Sequence, residues 1–139
     1  MSPEHIALIR STWRRLVPLE EQIAELFYRL LFELDPRLRH LFRGDMAEGR
    51  KLVAMLDMVV SQLDRLGEIV PLVEELGRGH ARYGVEHEHY DTVGIALLGT
   101  LRGGLGAAWT PETEAAWTVA YTTLAGVMRR ASAHADPRA

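Results

Sequence analysis

The 139 residues contain no cysteine, so any metal or nucleophilic chemistry must rest on His, Tyr, Asp or Glu. Of the six histidines, His80 is the one that follows apolar residues at helical spacing. Val73, Leu76, His80 and Tyr83 recur at intervals of three, four and three, which turns His80 toward a core. An inward imidazole is either satisfied by a hydrogen bond or ligates a metal through its second nitrogen. Tyr28 lies beside Ala24 and Leu31 on the edge of another apolar helix face, where its hydroxyl either bridges core and solvent or meets a ligand. Glu48 and Leu52 lie four apart on one helix. Glu48 also stands three residues after Asp45, so it either closes a capping box or turns a carboxyl inward at a desolvation cost. A flat cofactor wedged between two helices needs an axial nitrogen on one side and a small, mostly apolar pocket on the other, and the chain supplies both kinds of surface. His87 and His89 form a His-x-His pair that binds zinc in some settings; without a third ligand at suitable spacing, the alternative is an exposed linker. Gly104-Leu105-Gly106 lacks the third glycine and the preceding strand of a dinucleotide fingerprint, and neither a Walker motif nor a serine nucleophile elbow is present.

The elements that must position these residues are helical, because the apolar period is close to 3.6 and strand-like alternation is missing. Ser2 caps a helix opened by Pro3, with Ile6, Ile9, Trp13 and Leu16 on one face up to Pro18. A second runs from Leu19 to Leu34 with Ile23, Phe27 and Leu30 inward. Asp35-Pro36 opens a short third helix ending near Phe42, and Gly44 marks the break after it. The Asp45/Glu48 capping box opens a long fourth helix, with Leu52, Met55, Leu56, Val59, Leu63 and Leu66 inward, that Gly67 ends. The fifth begins near Val70-Pro71 and carries His80. After Gly84 a loop rich in His and Glu leads to a sixth from Asp91 to Gly103, ended by RGGLG. Thr110-Pro111 opens the last, lined by Trp117, Tyr121, Leu124 and Met128. The expectation is an all-α domain over residues 1–139 of six to seven unequal, orthogonally packed helices, with a frayed tail over about 134–139.

Apolar residues make up 47% and charged residues 25% of the chain, an ordinary globular balance. A net charge of -3 gives no electrostatic footprint for nucleic acid. The N-terminus MSPEHIALIR lacks a secretory pattern, and no apolar run approaches the roughly 18 residues of a spanning helix. A cytoplasmic protein that binds neither membrane nor nucleic acid is expected.

The segment FYRLLFELDPRLRHLF resembles the part of bacterial single-domain haemoglobins, and of flavohaemoglobin haem domains, that carries a distal tyrosine and an aromatic residue packed on the haem face. These would be Tyr28 and Phe42. LGRGHARYGVEHEHYDTVG is similar to the proximal segment of the same globin family, with His80 as the iron ligand, Val85 against the haem edge and Tyr90 behind the ligand, and EAAWTVAYTTLAGVM is similar to its last helix. The resemblance runs from Trp13 to Met128. It implies a globin fold around haem b, with Lys51 reaching a propionate, Leu52 over the distal face, and Val93 and Tyr121 lining the cofactor. Two departures stand out. Glu48 occupies the distal-helix position where relatives often carry glutamine or histidine, which argues against a bis-histidine iron, and Ser132 falls at or near the glutamate that relatives pair with the proximal tyrosine. Loss of that acid would weaken electron donation by the imidazole.

The function implied is reversible binding of oxygen, with nitric oxide and carbon monoxide as further ligands, at a five-coordinate ferrous iron facing Tyr28, Glu48 and Leu52. Nitric oxide dioxygenation is a second activity at the same site. No flavin or nicotinamide module is read in the chain, so sustained turnover would require an external reductase. The alternatives are a gas-sensing globin and a haem-free helical interaction domain.

Overall fold

A computed structural model describes residues 1–133; the expected frayed tail lies outside the described residues. Six α-helices and no strand occur among them: α1 (Pro3–Leu16), α2 (Glu20–Leu34), α3 (Met46–Ser61), α4 (Leu66–Arg82), α5 (His87–Leu105) and α6 (Pro111–Ser132). The expected third helix is a 3₁₀ turn over Pro36–His40, opened by Asp35, whose carboxylate accepts the Arg37 amide at 3.0 Å. Local capping chemistry sets several starts. Ser2 accepts the His5 amide and Thr110 the Thr113 amide, each at 3.1 Å and each followed by proline at the first helical position.

Tertiary contacts move other boundaries. The fourth expected helix stops at Ser61 rather than Gly67, because the Arg10 guanidinium donates to the Val60 and Ser61 carbonyls at 3.2 and 3.0 Å and pairs with Asp64. After a 3₁₀ turn over Leu63–Arg65, α4 starts at Leu66 with Gly67 inside it. Pro71, expected to open that helix, sits within it, where its missing amide costs one backbone bond on an exposed face. The α5 helix runs past Gly103 to Leu105, because Gly104 is needed for packing rather than for a break. A Cβ there would lie 2.7 Å from Ile23 Cδ1 and 2.8 Å from Leu16 Cδ2.

The core centres on Ile9, Leu16, Leu31, Leu38 and Leu101, none more than 1% exposed. Trp13 and Trp117 meet at 6.2 Å and join α1 to α6; the Trp117 indole donates to Thr12 Oγ1 and the Trp13 indole to Asp57, both at 2.9 Å. The largest helix–helix interface joins α4 to α6, and α2 also packs on α5 and α3. At Gly77 a Cβ would lie 2.5 Å from the Met128 carbonyl oxygen, so the α4 and α6 backbones touch. By contrast, α3 and α4 form no comparable interface with each other. No helix among the described residues is long and apolar enough to cross a membrane.

Candidate functional site

His80 lies in the last turn of α4, and the way that helix ends fixes the position of the next residues. Gly84 adopts φ +95°, the Gly84 amide donates to the Ala81 carbonyl at 3.1 Å, and the Val85 amide returns to the His80 carbonyl at 2.9 Å. This paired arrangement closes the helix at a left-handed glycine and ties half-buried Val85 back to His80. Tyr83, expected on the same inward face, is 83% exposed, because it caps the helix instead of continuing it.

The half-buried His80 imidazole meets the buried Tyr90 of α5, with Nδ1 at 3.3 Å from Oη. Burial holds the imidazole pKa below its ordinary value, which favours the neutral form a metal needs. Tyr90 is fixed in turn. Half-buried Tyr121 of α6 donates its hydroxyl to the Tyr90 carbonyl at 2.6 Å, and its ring fits over Gly94, where a Cβ would lie only 2.7 Å away. Tyr90 occupies the first turn of α5 because that helix begins at His87, four residues earlier than expected. The His-x-His pair is therefore helical rather than a linker. His89 Nδ1 accepts the Glu86 amide at 2.9 Å, and His87 Nε2 lies 3.1 Å from Ser132 Oγ. Ser132 is thus engaged with His87 and the Arg129 carbonyl.

The sequence reading missed Arg129. Its guanidinium carbon lies 5.5 Å from the Tyr90 ring centroid, and its nitrogens donate to the His87 carbonyl at 3.2 and 3.1 Å and to Asp91 at 2.6 Å. The only sequence signal was its place one residue beyond Met128 on the lined face of the last helix.

Tyr28 is 6% exposed on α2, edge-on to Phe27 at 5.1 Å and stacked near Phe32 at 6.0 Å. Burial pushes its hydroxyl pKa well up, and the Glu48 and Asp45 carboxylates add to the effect. Asp45 caps α3 by accepting the Glu48 amide at 2.9 Å. The half-buried Glu48 carboxylate reaches back to the Arg43 and Gly44 amides, both at 3.1 Å. The box is thus displaced by one and two residues from the Asp45 amide that the simple pattern specifies. Phe42, Leu52 and Val93 are half-buried, and Lys51 is exposed. The structure accordingly gathers His80, Val85, Tyr90 and Tyr121 around the end of α4, and Tyr28 with Glu48 at the start of α3.

These residues fit the haem implied by the resemblance. A neutral imidazole with Nδ1 against Tyr90 leaves Nε2 as the nitrogen for iron, and Leu52, Leu56, Val70 and Leu76 offer half-buried apolar surface on two helices that share no substantial interface.

A globin family model matches residues 25–128. A flavohemoprotein of Vibrio cholerae is 34% identical over 131 residues, covering 91% of this chain and 33% of that protein. The chain therefore spans about a third of the length of the curated relatives it matches. Among solved structures, an engineered carbene transferase from Rhodothermus marinus, on a protein named for nitric oxide dioxygenase, superposes with a TM-score of 0.85 at 28% identity, covering 96% of this chain and 94% of that one. A Campylobacter jejuni globin superposes with a TM-score of 0.80 at 23% identity, covering 95% and 96%, a likeness of fold.

Proposed function

Because the chain belongs to the globin family, whose members bind haem, we propose that it holds haem b through His80 and reversibly binds oxygen at a five-coordinate ferrous iron. The observation that carries this reading is the His80–Tyr90 contact at 3.3 Å beside otherwise apolar, half-buried surface. When bound, haem supplies an iron with one open position for a diatomic gas.

The chain's own residues do the rest. His80 directs the Nε2 lone pair to iron and keeps its proton on Nδ1, from which it donates a hydrogen bond to Tyr90 Oη. Tyr121 holds Tyr90 through its carbonyl. Phe42, Leu52, Val85 and Val93 exclude water from the cofactor faces, and the exposed Lys51 pairs with a propionate. Tyr28 stays protonated and donates a hydrogen bond to oxygen in the distal pocket. The likeness to the Rhodothermus protein favours a second activity, conversion of nitric oxide and oxygen to nitrate. It consumes one electron per turnover, which a reductase must supply.

Optical spectra of the ferric, ferrous and carbon monoxide forms test the proposal. An intense Soret band in wild type that is largely lost in His80→Ala but retained in His87→Ala and His89→Ala is expected. Unchanged haem content and ferrous spectrum in His80→Ala would remove the ligand assignment, and colourless protein that cannot take up haem would leave a helical interaction domain.

A further inference from the structure

The proximal side carries a positive charge where a carboxylate would strengthen the imidazole. Arg129 is held from two directions, by the His87 carbonyl at 3.1 Å and by Asp91 at 2.6 Å, which sets its guanidinium 5.5 Å from the centre of the Tyr90 ring. The two sides of this cation differ. Asp91 is 75% exposed, so water screens the counter-charge, while Tyr90 is 4% exposed and feels the cation through protein. Among the described residues, the side-chain partner of Tyr90 Oη is His80 Nδ1. Ser132, near where relatives place an acid, is turned to His87 instead.

We propose that Arg129 is a positioning residue that, acting through Tyr90, makes the His80 imidazole a weaker electron donor to haem iron. The inference rests on the reading of His80 as the ligand. With Nε2 on iron, Nδ1 carries the proton and Tyr90 Oη must accept its hydrogen bond. A cation against the ring draws electron density from the phenol oxygen and makes it a poorer acceptor. The Nδ1–H bond is then less polarised and the imidazole has less anionic character. Electron-poor ligation favours ferrous over ferric iron, so the protein rests toward the gas-binding state.

The test uses the haem-loaded protein with two readouts, the iron–histidine stretching band of the ferrous form by resonance Raman and the ferric/ferrous midpoint potential. Arg129→Met, which keeps length and apolar contact, is expected to raise the stretching frequency and shift the redox equilibrium about threefold toward ferric, ~28 mV at 59 mV per tenfold for one electron. Arg129→Lys retains the charge and stays near wild type. Asp91→Asn removes the counter-charge and moves both readouts the opposite way, whereas loosened packing would move them as Arg129→Met does. In a Tyr90→Phe background the Arg129→Met effect disappears. Unchanged band and potential in Arg129→Met, the same direction of shift in Asp91→Asn, or a shift that survives Tyr90→Phe overturns the proposal. If Arg129→Met does not fold, the Asp91→Asn result decides. A wild-type ferrous protein without an iron–histidine band sinks the His80 reading instead; a band that is present but does not move sinks only the role of Arg129.

Discussion

A phenol can donate a hydrogen bond only while it keeps its proton, and burial, Glu48 and Asp45 all disfavour the Tyr28 phenolate. Because the shift is upward, the protonated range extends to higher pH. Oxygen dissociation should therefore stay flat from neutral pH to the ordinary phenol value of 10.0, as stopped-flow traces across that range would report. Tyr28→Phe deletes only the hydroxyl. A hydrogen bond to a partly charged acceptor contributes about 1.5–3 kcal/mol, so oxygen should leave the variant at least several-fold faster. Carbon monoxide, which gains less negative charge, should leave at nearly the wild-type rate; equal acceleration of both gases would count against a donor role. Glu48 is engaged with the Arg43 and Gly44 amides. Glu48→Gln should lower stability by about 0.5–1 kcal/mol, read from thermal melts. Because Glu48 also acts on the Tyr28 hydroxyl, any change it makes in oxygen dissociation should vanish in a Tyr28→Phe background; a change that persists there would mean the carboxyl acts on the ligand directly. At this scale the residues were more legible than their partners. His80 follows from a local apolar period, but Arg129 over Tyr90 joins positions 39 apart, and periodicity alone does not reveal which side chain fills a gap between two helices.

Elements were legible where their ends are decided locally. Ser2-Pro3 and Thr110-Pro111 mark helix starts because the cap and the proline act within one turn. Ends decided by distant contacts were not: Arg10 stops α3, and the need for a side-chain-free surface against Ile23 and Leu16 keeps Gly104 inside α5. Gly77 belongs to the second class. Its Cβ would lie 2.5 Å from the Met128 carbonyl oxygen, a backbone atom that cannot rotate away. Gly77→Ala should destabilise the protein by about 1–3 kcal/mol and, because α4 carries His80, speed haem loss. Denaturant melts and haem transfer to an acceptor globin would measure both, and a variant as stable as wild type would contradict the close approach.

For the molecule as a whole, the globin fold was legible because order and spacing agreed over most of the chain, although no single segment was decisive. The chain spans a third of its curated flavohemoprotein relatives, so the activity of those longer proteins does not transfer with the fold. Mixed with nitric oxide and oxygen, the ferrous 139-residue chain should form about one nitrate per haem, with further nitrate tracking the electrons supplied; absence of nitrate in that first turnover would contradict the second activity. The mounting of α4 also has a mechanical side. It is bolted to α6 by backbone contact and has no comparable interface with α3. A pull on His80 therefore meets a compliant side and a stiff one. The stiff side runs into the second half of α6, where Met128 lies, so the position of His80 is referenced to that helix rather than to α3.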